Sequence, residues 1–252
     1  MPEVLDLTFF AFAIPAVIFA GISKGGFGSG AAFAATPLLA LILEPGAAIG
    51  LMLPLLMMMD VTALKPYWGK WDAPSAKALL LGTVPGVAIG AALYSFAEPD
   101  IFRLLIGLIA VGFVVFQVAR ARGWITPAPK PMSAGLGGFW GLVAGFTSFI
   151  SHAGGPPAAV FLLSRRLDKT TFQATTVICF WAINLLKFIP YFALGIFTWQ
   201  TAKADLFLIP FAIIGVWIGV HLHHRLSERV FFAFTYLFLI LTGAKLIWEG
   251  LT

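Results

Sequence analysis

Hydrophobic residues along this chain come in long runs, not in strand-like alternation or one-sided helical stripes. Uninterrupted apolar runs at 47–66, 73–95, 100–120, 169–192, 201–222 and 229–249 reach the roughly 20 residues that a helix needs to cross the hydrocarbon core of a bilayer. They predict six full crossings. Two more apolar segments, 7–44 and 133–165, are too long for one crossing and are broken midway. The first break is Gly21-Ile22-Ser23-Lys24-Gly25-Gly26-Phe27-Gly28-Ser29-Gly30, closing on Pro37; the second runs from Gly141 through Ser151-His152-Ala153-Gly154-Gly155-Pro156-Pro157. Unwound backbone survives at membrane depth only where it is buried in protein or lines a polar cavity. Each broken segment is therefore expected to be a hairpin of two short helices, and paired breaks in two halves point to a substrate site.

Composition sharpens this picture. Of 252 residues, 60% are hydrophobic and only 11% charged, against about a quarter charged in soluble domains, so the class is an all-α polytopic membrane protein. The net charge of +5 does not indicate nucleic acid, because the basic residues gather in short loops as membrane orientation requires. Glu3 and Asp6 precede the first run with no basic residue before Phe9, so that run does not read as a cleaved signal peptide. The single cysteine, Cys179, forms no internal disulfide.

Cationic clusters at Lys65/Lys70, Arg120/Arg122/Lys130, Arg165/Arg166/Lys169 and Arg225/Arg229 belong on the cytoplasmic side. The opposite ends carry Glu3, Asp6, Glu44, Glu98, Asp100 and Glu249, with Lys203 as the exception. Counting crossings from these ends makes both hairpins return to their own side, facing opposite ways, and puts both termini on the outer side of what would be a bacterial cytoplasmic (inner) membrane. The two halves also match in residues: Pro37 with Pro157, Leu64-Lys65 with Leu186-Lys187, and Gly86-Val87-Ala88-Ile89-Gly90 with Gly215-Val216-Trp217-Ile218-Gly219. The expected architecture is two inverted-topology repeats, each a broken-helix hairpin plus three transmembrane helices. The first unit is 1–123, the second 133–252, with 124–132 as cytoplasmic linker. Such a layout lets a carrier present one site alternately to two sides.

The breaks carry the candidate chemistry. A half-helix restarting at a hairpin tip offers unpaired N–H groups and the positive end of its dipole, which favour an anion. Gly25, Gly26, Gly28, Gly30, Gly154 and Gly155 would let backbone approach it, and Ser29, Thr36, Thr147, Ser148 and Ser151 would add hydroxyl donors. Glycines in membrane helices also serve close helix packing, the plainer reading. Charges inside apolar runs cost about 2.5–3.5 kcal/mol each on insertion scales, so each needs a reason. Lys24 is the candidate anion ligand or gate. Lys187, with Asn184 one turn before it on the same face, extends the binding set. Lys65 is a candidate gate that would otherwise snorkel. Asp60 is a candidate for proton coupling or for pairing with Lys24, and His152 is a candidate for either anion binding or proton transfer. Gln173, Thr175 and Thr176 read first as interhelical hydrogen-bond partners. His221, His223 and His224 beside Arg225 lack carboxylate or thiolate partners at ligand spacing beyond Glu228, so no metal is expected. No phosphate-binding loop is present, so no nucleotide or other cofactor is expected. Trp68, Trp71, Trp124, Trp199 and Trp248 read as interfacial anchors.

With these breaks and the two-unit layout, nearly the whole chain resembles the TauE/SafE family of sulfite and organosulfonate exporters. The resemblance implies a small sulfur oxyanion as substrate, sulfite, thiosulfate and sulfonates alike, and no oligomeric state. One departure stands out: the second break carries Ser151-His152 where the first carries Ala31-Ala32, so the two tips are not equivalent. An anion channel would use the same tips in a continuous pore. An integral membrane enzyme would need a nucleophile and base at catalytic spacing, which Asp60, His152 and the hydroxyls do not show.

Overall fold

The computed structural model describes residues 6–26, 31–125, 133–222 and 228–252. Among the described residues, ten α-helices follow in order: α1 (Leu7–Gly26), α2 (Ala35–Leu39), α3 (Pro45–Tyr67), α4 (Ala73–Phe96), α5 (Pro99–Ala121), α6 (Ala134–Ser151), α7 (Gly155–Ser164), α8 (Lys169–Ala193), α9 (Trp199–Leu222) and α10 (Glu228–Leu251), with a 3₁₀ turn at Ala32–Ala34 leading into α2. Eight of the helices are long and apolar enough to cross a membrane, all except α2 and α7. The chain is an all-helical, polytopic membrane protein.

Local chemistry sets the helix starts. Pro45 and Pro99 open α3 and α5, where a missing N–H costs nothing and φ is already helical. Asp72, Ser133 and Asp168 cap α4, α6 and α8 by accepting from backbone N–H groups one turn ahead. Asp168 accepts from Thr170 and Thr171 at 3.0 Å each, and its hydrogen bonds to Thr171 hold its carboxyl below the usual aspartate range. A lowered folded pKa contributes stability that is present above the unfolded value of about 3.9 and is lost as pH falls through the folded value. Asp168→Asn should therefore flatten part of the acid-side fall in melting temperature below about pH 4, which thermal scans of both proteins would read.

The hairpins differ from the expected pair of short arms. Each has a long first arm, 20 residues in α1 and 18 in α6, and a short return, 5 residues in α2 and 10 in α7. The reason lies in Gly21, Gly25 and Gly26 of α1 and Gly141 and Gly145 of α6, which pack instead of unwinding. A Cβ on Gly21 would sit 2.8 Å from the Ala212 carbonyl oxygen and one on Gly26 would sit 2.6 Å from that of Gly219, while Gly215 and Gly219 meet Ile18 and Ile22 in return. This close approach, with no side chain between two backbones, is how helices associate where lipid supplies no hydrophobic drive. It continues α1 to Gly26. The same device joins α4 to α6: Gly145 faces Thr83 and Gly141 faces Leu79, while Gly86 faces Leu142 and Phe146. It also joins α5 to α10, where Gly107 faces Gly243 and Gly250 faces Asp100 and Leu104. These registers make α1 parallel to α9, α4 parallel to α6, and α5 antiparallel to α10. At the centre stands α3, with 67% of its span buried against 44% or less for every other candidate span. It packs on both α8 and α9.

Candidate functional site

The polar side chains of the interior converge on the contact between α3 and α8. Lys24, in the last turn of α1, reaches across to α3, where its ammonium pairs with Asp60 and lies 3.5 Å from the Leu56 carbonyl. The second carboxylate oxygen of Asp60 accepts from Asn184 Nδ2 of α8 at 2.6 Å. One turn further along α8, the Lys187 ammonium donates to the Ser148 carbonyl at 3.0 Å and to His152 Nδ1 at 2.7 Å. His152 Nε2 lies 2.9 Å from the Ile49 carbonyl of α3. A carbonyl only accepts, so the proton of the ring is on Nε2 and Nδ1 offers its lone pair to Lys187. One more turn along, Tyr191 donates to the Phe149 carbonyl at 2.6 Å. Every member is buried: Lys24 8%, Asp60 2%, Asn184 3%, Lys187 0% and His152 7% exposed. The cluster sets two buried lysines against one buried carboxylate, so it carries a net +1 when both lysines are protonated. Burying an uncompensated charge is costly, and either a bound anion or loss of a lysine proton relieves it.

His152 is held in place by the turn it ends. Its φ of 57° is left-handed, a conformation that histidine adopts more readily than most residues other than glycine, and it stops α6. Its own N–H donates to the Ser148 carbonyl at 3.0 Å, and that of Ala153 to Thr147 at 3.2 Å. The turn swings the ring away from α6 and toward α3 and α8. The following Pro156 and Pro157 start α7 but carry no N–H, so Gly155 has the only amide donor among the first three residues of that helix.

Two cavities flank the cluster at opposite ends of the bundle. The first, about 560 Å³, has Lys24 and Gln173 in its wall together with Thr62, Lys169, Thr170 and His221. Its apolar side is α9, including Val216 and Trp217. The second, about 480 Å³, lies among Glu44, Gly46, Ala47, Tyr94, Gly195 and Thr198. Ala47 and Thr62 are 15 residues apart on α3, or about 22 Å of helix. Between them lie Ile49, whose carbonyl takes the His152 bond, and Asp60. At the second mouth Arg103 pairs with Glu44 at 3.0 Å and with Asp100, tying the start of α5 to the start of α3.

A family model for the sulfite exporter TauE/SafE matches residues 13–246. The chain belongs to the TauE/SafE family. No curated protein and no solved structure matches it. Membership makes this a membrane protein of sulfite-exporter type, in a family of transporters and not of enzymes.

Within this TauE/SafE chain, the residues singled out from the sequence fall into three groups. Lys24, Asp60, Asn184, Lys187 and His152, with the Ser148 carbonyl, come together in one network. Gly25, Gly26 and Gly154 lie at tight packing contacts, against Val216, Gly219 and the Ala144–Ser148 turn, although Gly25 and Gly26 also reach the first cavity. The rest lie apart from the network: Thr36 is buried in α2 with its hydroxyl unpartnered among the described residues, Thr147 and Ser151 bond back to their own turn, and Gly155 opens α7. Lys65 is exposed at the end of α3, unlike its counterpart Lys187. Gly28, Ser29 and Gly30 lie outside the described residues, as do His223, His224, Arg225 and most of the linker. Of the three polar α8 residues read as interhelical partners, Thr175 accepts from the Asp72 N–H of α4 at 2.9 Å, Thr176 bonds within α8, and Gln173 faces the first cavity.

Sequence reading missed Tyr191, although it lies on the Asn184–Lys187 stripe four residues on, and the cavity residues Thr62, Thr170 and Lys169. Four helices far apart in sequence build that cavity, and no spacing announces it. It also missed Asp205, a carboxylate of α9 that is 6% exposed and has an oxygen unpartnered among the described residues.

Proposed function

We propose that this chain is a secondary carrier that exports small sulfur oxyanions, sulfite or organosulfonates, by alternating access to an anion site at the Lys24–Asp60–Asn184–Lys187–His152 cluster. The observation that carries the reading is a pair of buried lysines set against a single buried carboxylate, lying between two cavities that open at opposite ends of the same helix pair. The first cavity adjoins the ends of α3 and α8 that bear Lys65, Lys70 and Lys169, the side that the positive-inside rule assigns to the cytoplasm. Its wall contains Lys24 and Lys169, whereas the second contains Glu44. The cationic first mouth favours anion entry from the cytoplasm, Glu44 at the second being paired by Arg103, and an inside-negative potential adds about 2.3 kcal/mol per charge at 100 mV.

Helix directions support the inverted repeat that alternation requires. Exchanging the units turns the parallel α1–α9 pair into the α6–α4 pair, also parallel, and turns the antiparallel α5–α10 pair into itself, as a twofold axis in the membrane plane would. In this conformation Lys24 lines the first cavity, and among the described residues neither Lys187 nor His152 lines the second. Movement of the α6–α7 hairpin would break the His152–Ile49 bond and open the site outward. Because Asp60 already neutralises Lys24, an anion that takes Lys24 competes with that carboxylate, and a proton on Asp60 would favour anion binding. That is the route by which anion and proton fluxes couple.

The test is flux in proteoliposomes holding labelled sulfite or a labelled sulfonate, under an imposed potential and then an imposed pH gradient. Saturable flux accelerated by unlabelled anion on the far side is expected. Ion currents far above carrier turnover without that acceleration would instead indicate a channel, and absence of flux for every sulfur anion would overturn the substrate assignment.

A further inference from the structure

One groove on the lipid-facing side of the second hairpin takes no part in the anion site. Gly112, Phe113 and Phe116 of α5 face Ala153, Pro156 and Val160 across a cavity of about 230 Å³. The groove continues along α5 into a smaller recess of about 50 Å³ that ends at Gln117 and Arg120. From Gly112 to Arg120 is eight residues, or about 12 Å of helix. A Cβ built on Gly112 meets no atom within 4 Å, so the groove is open there.

The sequence match between the halves explains why it exists. Setting Pro37 on Pro157 sets Phe33 on Ala153. In the first hairpin Phe33 is buried, with its ring edge-on to Phe113 at 5.0 Å, in a cluster with Ala110, Val114 and Leu239. The first hairpin's return also packs against α10. The second hairpin has a methyl where the first has a phenyl ring; Ala153 is itself buried in the cluster that holds Phe33 and Phe113, and the groove lies beside it along the half-buried Pro156 and Val160.

The groove is apolar along its length and ends at a cation. Gln117 is occupied, donating to Tyr236 Oη at 3.2 Å. The half-buried Arg120 guanidinium, at the cytoplasmic end of α5, has no carboxylate within ion-pair distance among the described residues. A slot for a hydrocarbon chain leading to an interfacial cation is complementary to an amphiphile with an anionic head. We propose that this groove binds one acyl chain of an anionic phospholipid, with the headgroup on Arg120. The chain would rest on Pro156 and Val160 of α7, in the hairpin that carries His152, so an occupied groove would bias the position of that hairpin. The proposal is independent of which anion is transported.

Native mass spectrometry of the purified protein, with phosphatidylglycerol and phosphatidylethanolamine of equal chain length, tests it. The wild type should retain phosphatidylglycerol in preference. Arg120→Gln should reduce that preference about fivefold, the value of one interfacial cation to an anionic lipid. Ala153→Phe, copying the first hairpin, should remove adducts of both lipids, and Gly112→Leu fills the same groove from α5 should Ala153→Phe fail to fold. Arg122→Gln, which removes a neighbouring cation stacked on Trp124 at 5.3 Å, should change nothing. Equal retention of the two lipids by the wild type, or adducts that survive both Arg120→Gln and the groove-filling variants, would overturn the proposal.

Discussion

Lys24→Met should lose both folded protein and anion flux, while Lys24→Met/Asp60→Asn should regain folded protein and still carry no anion. The pair is 7% and 3% exposed at its side chains, and removing one partner of a buried pair typically costs about 3–5 kcal/mol because the other charge loses its direct partner. Replacing both partners removes that charge and, by the same reasoning, most of the penalty. Asn184 already donates to Asp60 and would still meet an oxygen, that of the amide replacing the carboxylate. Flux stays lost because the ammonium that would hold the anion is gone. Detergent-solubilised yield and melting temperature read the first part, and proteoliposome flux reads the second. A double variant with wild-type flux would remove Lys24 from the anion site. A double variant as unstable as Lys24→Met would show that the pair is not the source of the loss.

The second large effect is expected at the glycine crossings. A side chain on Gly86 would run into the Leu142 carbonyl, with the Phe146 nitrogen 2.9 Å from its Cβ, so α4 and α6 would have to separate. Overpacking costs about 1–3 kcal/mol where neighbours yield, and here the neighbours are backbone. Gly86→Val should therefore leave little folded protein. Gly138 is the control, since a Cβ there meets nothing within 4 Å, and Gly138→Ala should gain up to about 1 kcal/mol from the lower helix cost of alanine. Melting temperatures of the two variants would check this. Equal tolerance at both positions would mean that α4 and α6 do not approach as closely as described.

These glycines also mark where the sequence could and could not be read. Helix spans followed from apolar run length to within a few residues: 73–95 became Ala73–Phe96 and 100–120 became Pro99–Ala121. The arms of the hairpins did not, because Gly21, Gly25 and Gly26 look the same in sequence whether they unwind a helix or let a neighbour approach. Only the glycines 215 and 219 of α9, about two hundred residues on, decide that they pack. In the site, Lys24, Asp60, Lys187 and His152 were visible because a charged or titratable group inside an apolar run needs a partner, and Asn184 because it shares a helix face with Lys187. Their acceptors were not visible. The carbonyls of Ile49, Ser148 and Leu56 complete the network, and backbone oxygens leave no trace in side-chain identity. Lys65 shows the converse limit: the sequence match between the halves sets it on Lys187, but α3 ends exposed there while Lys187 lies inside the bundle.

Alternation itself is best tested by thiol accessibility. Ala63 and Ala97 line the first and second cavities, and the native Cys179 is fully buried, so single cysteines at either position would report with little background. Membrane-impermeant reagent is applied to each variant, with and without saturating sulfite across an imposed gradient. Alternating access predicts that Ala63→Cys and Ala97→Cys change reactivity in opposite directions when the anion drives the transporter toward one state. Reactivity rising or falling together, or both sites staying open regardless of anion, would contradict a single site served in turn by two cavities.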